Sequence, residues 1–190
     1  MPKERYMSID VEASGPIPGE YSMLSIGACI VGDTGKRFYI ELKPLNGNYL
    51  RSALKVCGLS METLTRKGAK PQEAIDRFAG WVKGATKGAT PVFCCWSTMD
   101  WLFMKWYMVR FGHPELFSHS ACEMKSYYTG MMGCAFGRAR KKYLPDYLLP
   151  KKKHTHNALD DALEQAELYS NMFEFNAKRT TAHSPGKRRE

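Results

Sequence analysis

Three segments with β-strand patterning crowd into the first 42 residues, and this clustering most restricts the folds open to the chain. Residues 5–11 mix β-branched and polar side chains at period two, and residues 21–32 form a longer apolar run. Gly32-Asp33-Thr34-Gly35 supplies turn chemistry before residues 36–42, so the second and third strands are expected to form a hairpin. The period then changes. Ala74, Ile75, Phe78, Trp81 and Val82 recur at helical spacing behind Pro71, which predicts an amphipathic helix over 71–83. Residues 90–96 are a continuous apolar run, expected as a buried strand, and residues 98–111 read as a helix. The order βββαβα predicts an α/β fold, a mixed central sheet flanked by helices.

Beyond Ala121 the periodicity fades. Gly130, Gly133 and Gly137 interrupt it, and the basic run 138–142 reads as a loop. Residues 157–173 give a clear helix, with Ala158, Leu159, Ala162, Leu163, Ala166, Tyr169 and Phe173 on one broad face. Past Asn176 the chain turns polar and basic, through Pro185, Gly186 and Lys187-Arg188-Arg189. A single domain over 1–176 and a disordered basic tail over 177–190 are expected.

Lys and Arg number 28 against 19 Asp and Glu, a formal charge of +9 that favours an anionic partner, either nucleic acid or an acidic membrane surface. The longest central apolar stretch, 101–109, is broken by Lys105 and falls short of the roughly 18 residues a bilayer demands, so no membrane span is expected. Glu4, Asp10 and Glu12 stand where a secretory signal needs an apolar core, and a cytoplasmic protein is expected. The six cysteines include no C-x-x-C pair and are expected to be free thiols. His154 and His156 lack the cysteine pair that would complete a structural zinc site.

Asp10 and Glu12 are two apart in a predicted strand, so both carboxylates project from one face. Such close anions need either solvent or a cation, and hard ions such as Mg²⁺ or Mn²⁺ prefer oxygen ligands of this kind. Asp100 sits where a strand passes into a helix. Ser97-x-x-Asp100 also satisfies a capping-box pattern, and both readings stay open. His156 to Ala162, His-Asn-Ala-Leu-Asp-Asp-Ala, opens the long helix with Thr155 as the expected cap. Helical geometry leaves the partner of His156 open between Asp160 and Asp161.

The run Ile9-Asp10-Val11-Glu12-Ala13-Ser14-Gly15, followed by Leu24-Ser25-Ile26-Gly27-Ala28, resembles the first motif of the DEDDh, or DnaQ-like, exonucleases. Asp100 after its strand and short turn resembles their second, and His156-x-x-x-x-Asp161 their third. The softer segment 53–64 resembles the connection between the first two. The resemblance implies a ribonuclease H-like fold and a 3′-5′ exonuclease that uses two divalent cations, Mg²⁺ or Mn²⁺. Asp10, Glu12, Asp100 and Asp161 would hold the metals and His156 would be the general base, with nucleoside 5′-monophosphates as products. Single-stranded RNA, slightly favoured over DNA, is the expected substrate. Ala13, Ser14 and Gly15 are expected near the terminal nucleotide, and Arg138, Arg140, Lys141 and Lys153 near phosphates. Trp101, Phe103, Trp106, Tyr107 and Phe111 read as core, with any surplus forming a homodimer interface or a base-stacking platform. The competing readings are a binding module of the same fold without catalysis, a DNA-specific exonuclease, and a nuclease that cuts internally.

Overall fold

The computed structural model describes residues 3–152 and 154–182. Strands β1 (Glu4–Ala13), β2 (Met23–Ile30) and β3 (Asp33–Glu41) form an antiparallel meander. The hairpin turn is tighter than the sequence implied. Gly32 takes φ 80°, so Asp33 already pairs with Ile30 and β3 starts three residues before Lys36. Strand β4 (Thr90–Cys95) adds parallel to β1, and the two-residue β5 (Cys122–Glu123) adds parallel to β4. The sheet order β3-β2-β1-β4-β5 places β1 at the centre.

Two short helices, α1 (Arg51–Cys57) and α2 (Met61–Lys67), precede α3 (Pro71–Thr86), which runs three residues past its expected end. Helix α4 (Thr98–Arg110) follows β4, α5 (Met124–Met132) follows β5, and α6 (Ala158–Ala182) closes the described chain. The period-two face of β1 made by Met7, Ile9 and Val11 packs with Ile75 and Phe78 of α3 and Phe103 and Tyr107 of α4. The aromatic residues of α4 are thus largely core, while Leu102 and Val109 stay outward. On the opposite face, Cys29 of β2 meets Leu163 and Ala166 of α6, and Cys94 of β4 packs with Met124 and Tyr128 of α5 and Leu168, Tyr169 and Met172 of α6. Ser8, Asp10 and Glu12 share this second side. All six cysteines are unpaired.

Three expectations need correction. Residues 138–142 are not an open loop but parts of two one-turn 3₁₀ helices, Phe136–Arg138 and Lys141–Tyr143. Gly130 lies inside α5, and the helix ends at Gly133, whose φ of 62° lets its N–H reach the Thr129 carbonyl. The ordered domain does not stop at residue 176, because α6 continues to Ala182. Extending a formed helix adds a hydrogen bond for each residue fixed, without a new nucleus, and Asn176 is anchored by its side-chain amide donating to Tyr127 Oη at 3.3 Å. The Lys187–Arg189 triplet and Lys153 lie outside the described residues. Among the described residues no helix is long and apolar enough to cross a membrane.

Candidate active site

The even-numbered face of β1 carries Asp10 and Glu12 beneath the start of α6. Their approach to α6 depends on Gly27, the cross-strand partner of Asp10. A Cβ built on Gly27 would lie 2.0 Å from the Ala158 carbonyl carbon. With no side chain there, α6 rests directly on β2 and lowers Asp161 onto the strand carboxylates. Oxygens of Asp10, Glu12 and Asp161 lie within 4.8 Å of one another. Asp100 reaches the same place from the first turn of α4. Its Oδ1 accepts the Val11 N–H at 3.4 Å and its Oδ2 accepts the Ser97 N–H at 3.3 Å. The capping box is therefore real, and the capping carboxylate is also a wall of the site.

The ambiguity between the two aspartates of α6 is resolved by the loop before it. Asp161 is buried, and its carboxylate accepts N–H groups from Thr155 at 2.8 Å and His156 at 3.0 Å. Asp160 is exposed and takes the Thr155 hydroxyl at 3.2 Å. The cap of α6 is Asn157, whose Oδ1 accepts from Leu159 and Asp160, rather than Thr155. All five expected residues, Asp10, Glu12, Asp100, His156 and Asp161, line one open cleft of about 660 Å³.

Burial dominates the electrostatics. It raises the Asp10 carboxyl well above the usual range, with the Asp100, Glu12 and Asp161 charges adding to the effect and the Gln165 amide opposing it. Burial, then the Asp161 and Asp100 charges, push Glu12 up to about 8. Burial likewise pushes Asp100 to about 7, against the donors from Val11 and Ser97. An oxygen-rich cluster that holds protons this tightly is suited to a hard divalent cation in their place. Because these folded-state values lie above the ordinary 4.5 and 3.8, the stability they confer is complete in acid and is lost as pH rises through about 7 to 8. The metal-free protein is therefore expected to melt at a lower temperature at pH 8 than at pH 5.5. Mg²⁺ or Mn²⁺ should restore it, by about 2.7 kcal/mol at a hundred times its dissociation constant. Calorimetry in EDTA and in each metal checks this, and a metal-free melting temperature flat across that range would refute it.

Several residues of the cleft were not expected. Gln165 is buried, donates from Nε2 to Asp10 Oδ1 at 2.7 Å, and accepts the Trp96 N–H at 3.1 Å on Oε1. It lies four residues after Asp161, so helical spacing puts it on the same face, a signal present in the sequence. Gln165→Leu leaves the Trp96 N–H and Asp10 without this partner and is expected to lower stability by about 1–3 kcal/mol in urea titrations. A change within error would show that the amide bridge carries no stability. His154 is exposed but lines the cleft, with Nδ1 3.0 Å from Asp161 Oδ2. Lys125 and Trp96 also line it, and the Lys125 and Lys141 ammonium groups stand 5.7 and 5.2 Å from the Trp96 ring centroid.

The expected substrate contacts divide. Arg140 and Lys141 face the cleft, and Lys141 pairs with Glu164 at 2.5 Å. Arg138 instead stacks over the Tyr143 ring, 5.2 Å from its centroid, and does not line the cleft. Ala13 and Gly15 line a neighbouring hollow with Glu12, Val56 and Met99, where Gly15 is kept bare by the Tyr21 ring that a Cβ would strike. Ser14 cannot serve as a contact. It is fully buried, its hydroxyl bridges Asn48 and Ser22, and its backbone N–H and C=O pair with Ser22 and Leu50.

This arrangement has close relatives. The exonuclease family model of the RNase T type matches residues 7–169. The 3′-5′ DNA exonuclease Cap18 of Escherichia coli is 37% identical over 169 residues, covering 88% of this chain and 90% of its own. The nuclease domain of 3′hExo, a DEDDh family member bound to rAMP, superposes with a TM-score of 0.73 at 14% identity, covering 90% of this chain and 92% of that one. Escherichia coli exonuclease I in complex with a dT13 oligonucleotide superposes with a TM-score of 0.65 at 11% identity, covering 95% of this chain and 43% of that one. Its motifs, its ribonuclease H-like sheet and these relationships agree: the chain belongs to the DEDDh family of 3′-5′ exonucleases.

Proposed function

We propose that the chain hydrolyses single-stranded DNA from its 3′ end, releasing nucleoside 5′-monophosphates, with two divalent cations and His156 as general base. The observation that carries this is the convergence of Asp10, Glu12, Asp100, Asp161 and His156 on one cleft whose rim holds Lys125, Arg140 and Lys141. The sequence leaned towards RNA, but a curated relative at 37% identity is named as a DNA exonuclease, and that favours DNA.

Asp10, Glu12 and Asp161 would hold one ion and Asp10 with Asp100 the other. When bound, the ions supply positive charge to the phosphoryl oxygens and lower the pKa of water. His156 stands exposed at the mouth of the cleft, where its imidazole takes the proton of the attacking water. Water attack at the terminal phosphorus releases the last nucleotide with its 5′-phosphate and leaves a 3′-hydroxyl for the next round. Trp96, with the Lys125 and Lys141 ammonium groups 5.7 and 5.2 Å from its ring centroid, offers a stacking surface for a base, and Arg140 and Lys141 offer charge to the phosphates that follow. The hollow lined by Ala13 and Gly15 beside Glu12 would accept the terminal nucleoside.

Digestion of 5′-labelled single-stranded DNA and RNA of one sequence tests this, with Mg²⁺, Mn²⁺ or EDTA and with an Asp10→Ala control. A metal-dependent ladder shortening from the 3′ end, faster on DNA and absent in the control, is expected. Faster loss of RNA would reassign the substrate. Binding without shortening of either polymer would replace catalysis with a binding role.

A further inference from the structure

His154 and His156 lack the cysteines of a structural zinc site, but the fold brings them a donor of another kind. His156 takes φ 58°, uncommon for a residue with a side chain, and Asp161 holds this bend by accepting the His156 N–H. The bend folds the imidazoles together edge to face, their centroids 4.3 Å apart, and His154 Nδ1 comes to 3.0 Å from Asp161 Oδ2. One nitrogen from each ring and an oxygen of Asp161 all lie within 4.8 Å of one another. Tetrahedral zinc bonds of about 2.0–2.1 Å put their ligands about 3.3 Å apart, so closure needs a shift of up to about 1.5 Å. Both rings are exposed. Glu164 Oε2 lies 3.3 Å from the same His154 Nδ1 that faces Asp161, so a second carboxylate stands beside that nitrogen.

Two imidazoles and one carboxylate suit zinc or a similar late first-row ion, whereas the all-oxygen set of Asp10, Glu12 and Asp161 suits magnesium or manganese. We propose that His154, His156 and Asp161 form a further metal position, distinct from the two held by carboxylates and selective for a zinc-like ion, that excludes catalysis when filled. It shares Asp161 with the Asp10–Glu12 position, and zinc would occupy the imidazole lone pair of His156 that otherwise accepts the water's proton. The inhibitory consequence rests on the reading of His156 as the base; the binding itself does not.

The full-length chain, stripped with EDTA and dialysed, is titrated with Zn²⁺ in competition with a chromophoric chelator, and with Co²⁺ followed by its visible absorption. The parent, His154→Gln and Asp10→Asn proteins are compared, with far-ultraviolet circular dichroism to verify folding. The parent and Asp10→Asn should bind zinc alike. His154→Gln should bind at least about tenfold more weakly, since even partners behind a ligand change affinity by about 10–100-fold. The cobalt band should be lost in His154→Gln alone. Equal affinity in the parent and His154→Gln, or loss in Asp10→Asn only, would overturn the proposal by assigning zinc to the carboxylates. In a Mg²⁺-supported digestion, added zinc should slow the parent by a larger factor than it slows His154→Gln. Equal slowing beside the expected binding pattern would overturn the inhibitory half while the binding site stands.

Discussion

Asp10→Asn is expected to reduce hydrolysis by at least about 10³-fold while making the metal-free protein more heat-resistant at pH 8. The rate effect follows from electrostatics, because removing even one neutral hydrogen-bond donor aimed at developing charge costs about 10²–10³ in rate. Losing the central carboxylate of a metal-binding cluster should cost more. The stability effect has the opposite sign for the same reason. Asp10 is packed among Asp100, Glu12 and Asp161, and its charged form is disfavoured by burial and by all three neighbours. Asparagine keeps the shape and an oxygen to accept the Gln165 amide, now at 2.7 Å from Oδ1, while removing the charge. Single-turnover digestion and calorimetry in EDTA measure the two effects. A variant that is inactive but less stable than the parent at pH 8 would show that Asp10 supports the fold as an anion.

Gly27→Ala should be nearly as disruptive, from the addition of one methyl group. The new Cβ would stand 2.0, 2.1 and 2.2 Å from Ala158 C, Ala158 O and Leu159 N, all backbone atoms that no rotamer change can move. Overpacking ordinarily costs about 1–3 kcal/mol, and a clash with a rigid helix end belongs at or above the top of that range. At about 2–4 °C per kcal/mol for a chain of this size, the melting temperature should drop by roughly 6–12 °C. Activity should fall too, since lifting the start of α6 moves Asp161 and His156 away from β1. Gly80→Ala is the contrasting case. It lies within α3, nothing lies within 4 Å of the added atom, and relief of glycine's backbone entropy should stabilise by about 0.5–1 kcal/mol. Equal melting temperatures for the two variants would mean that α6 does not need Gly27 to dock.

Legibility differed along the chain for physical reasons. Strands β1 and β2 and helices α3 and α4 were readable because each buries a regular face, and burial imposes a period on sequence. Strand β5 has only two residues and exists through its pairing with β4, so no local pattern marks it. Helix α1 buries none of its residues, and its sequence carries no apolar period. In the segment 136–148, short 3₁₀ turns pack through isolated side chains such as Leu144 and Leu148, which leave no repeat to recognise.

The same division runs through the site. By itself the sequence offered Asp10, Glu12, Asp100 and His156 as candidates for the chemistry, because carboxylates two apart on a strand share a face and the order of the three segments resembles that of the family's motifs. It also determined the mixed sheet and its flanking helices, since alternating periods allow few other layer arrangements. Only the tertiary structure decided that Asp161 rather than Asp160 turns inward, that Asp100 is both cap and wall, and that His154 stands beside Asp161. It also separated Arg140 and Lys141 from Arg138 and closed Ser14 away. Of these, the meeting of Asp161 with the β1 carboxylates depends on how closely α6 rests on β2, a close approach that the bare backbone of Gly27 permits.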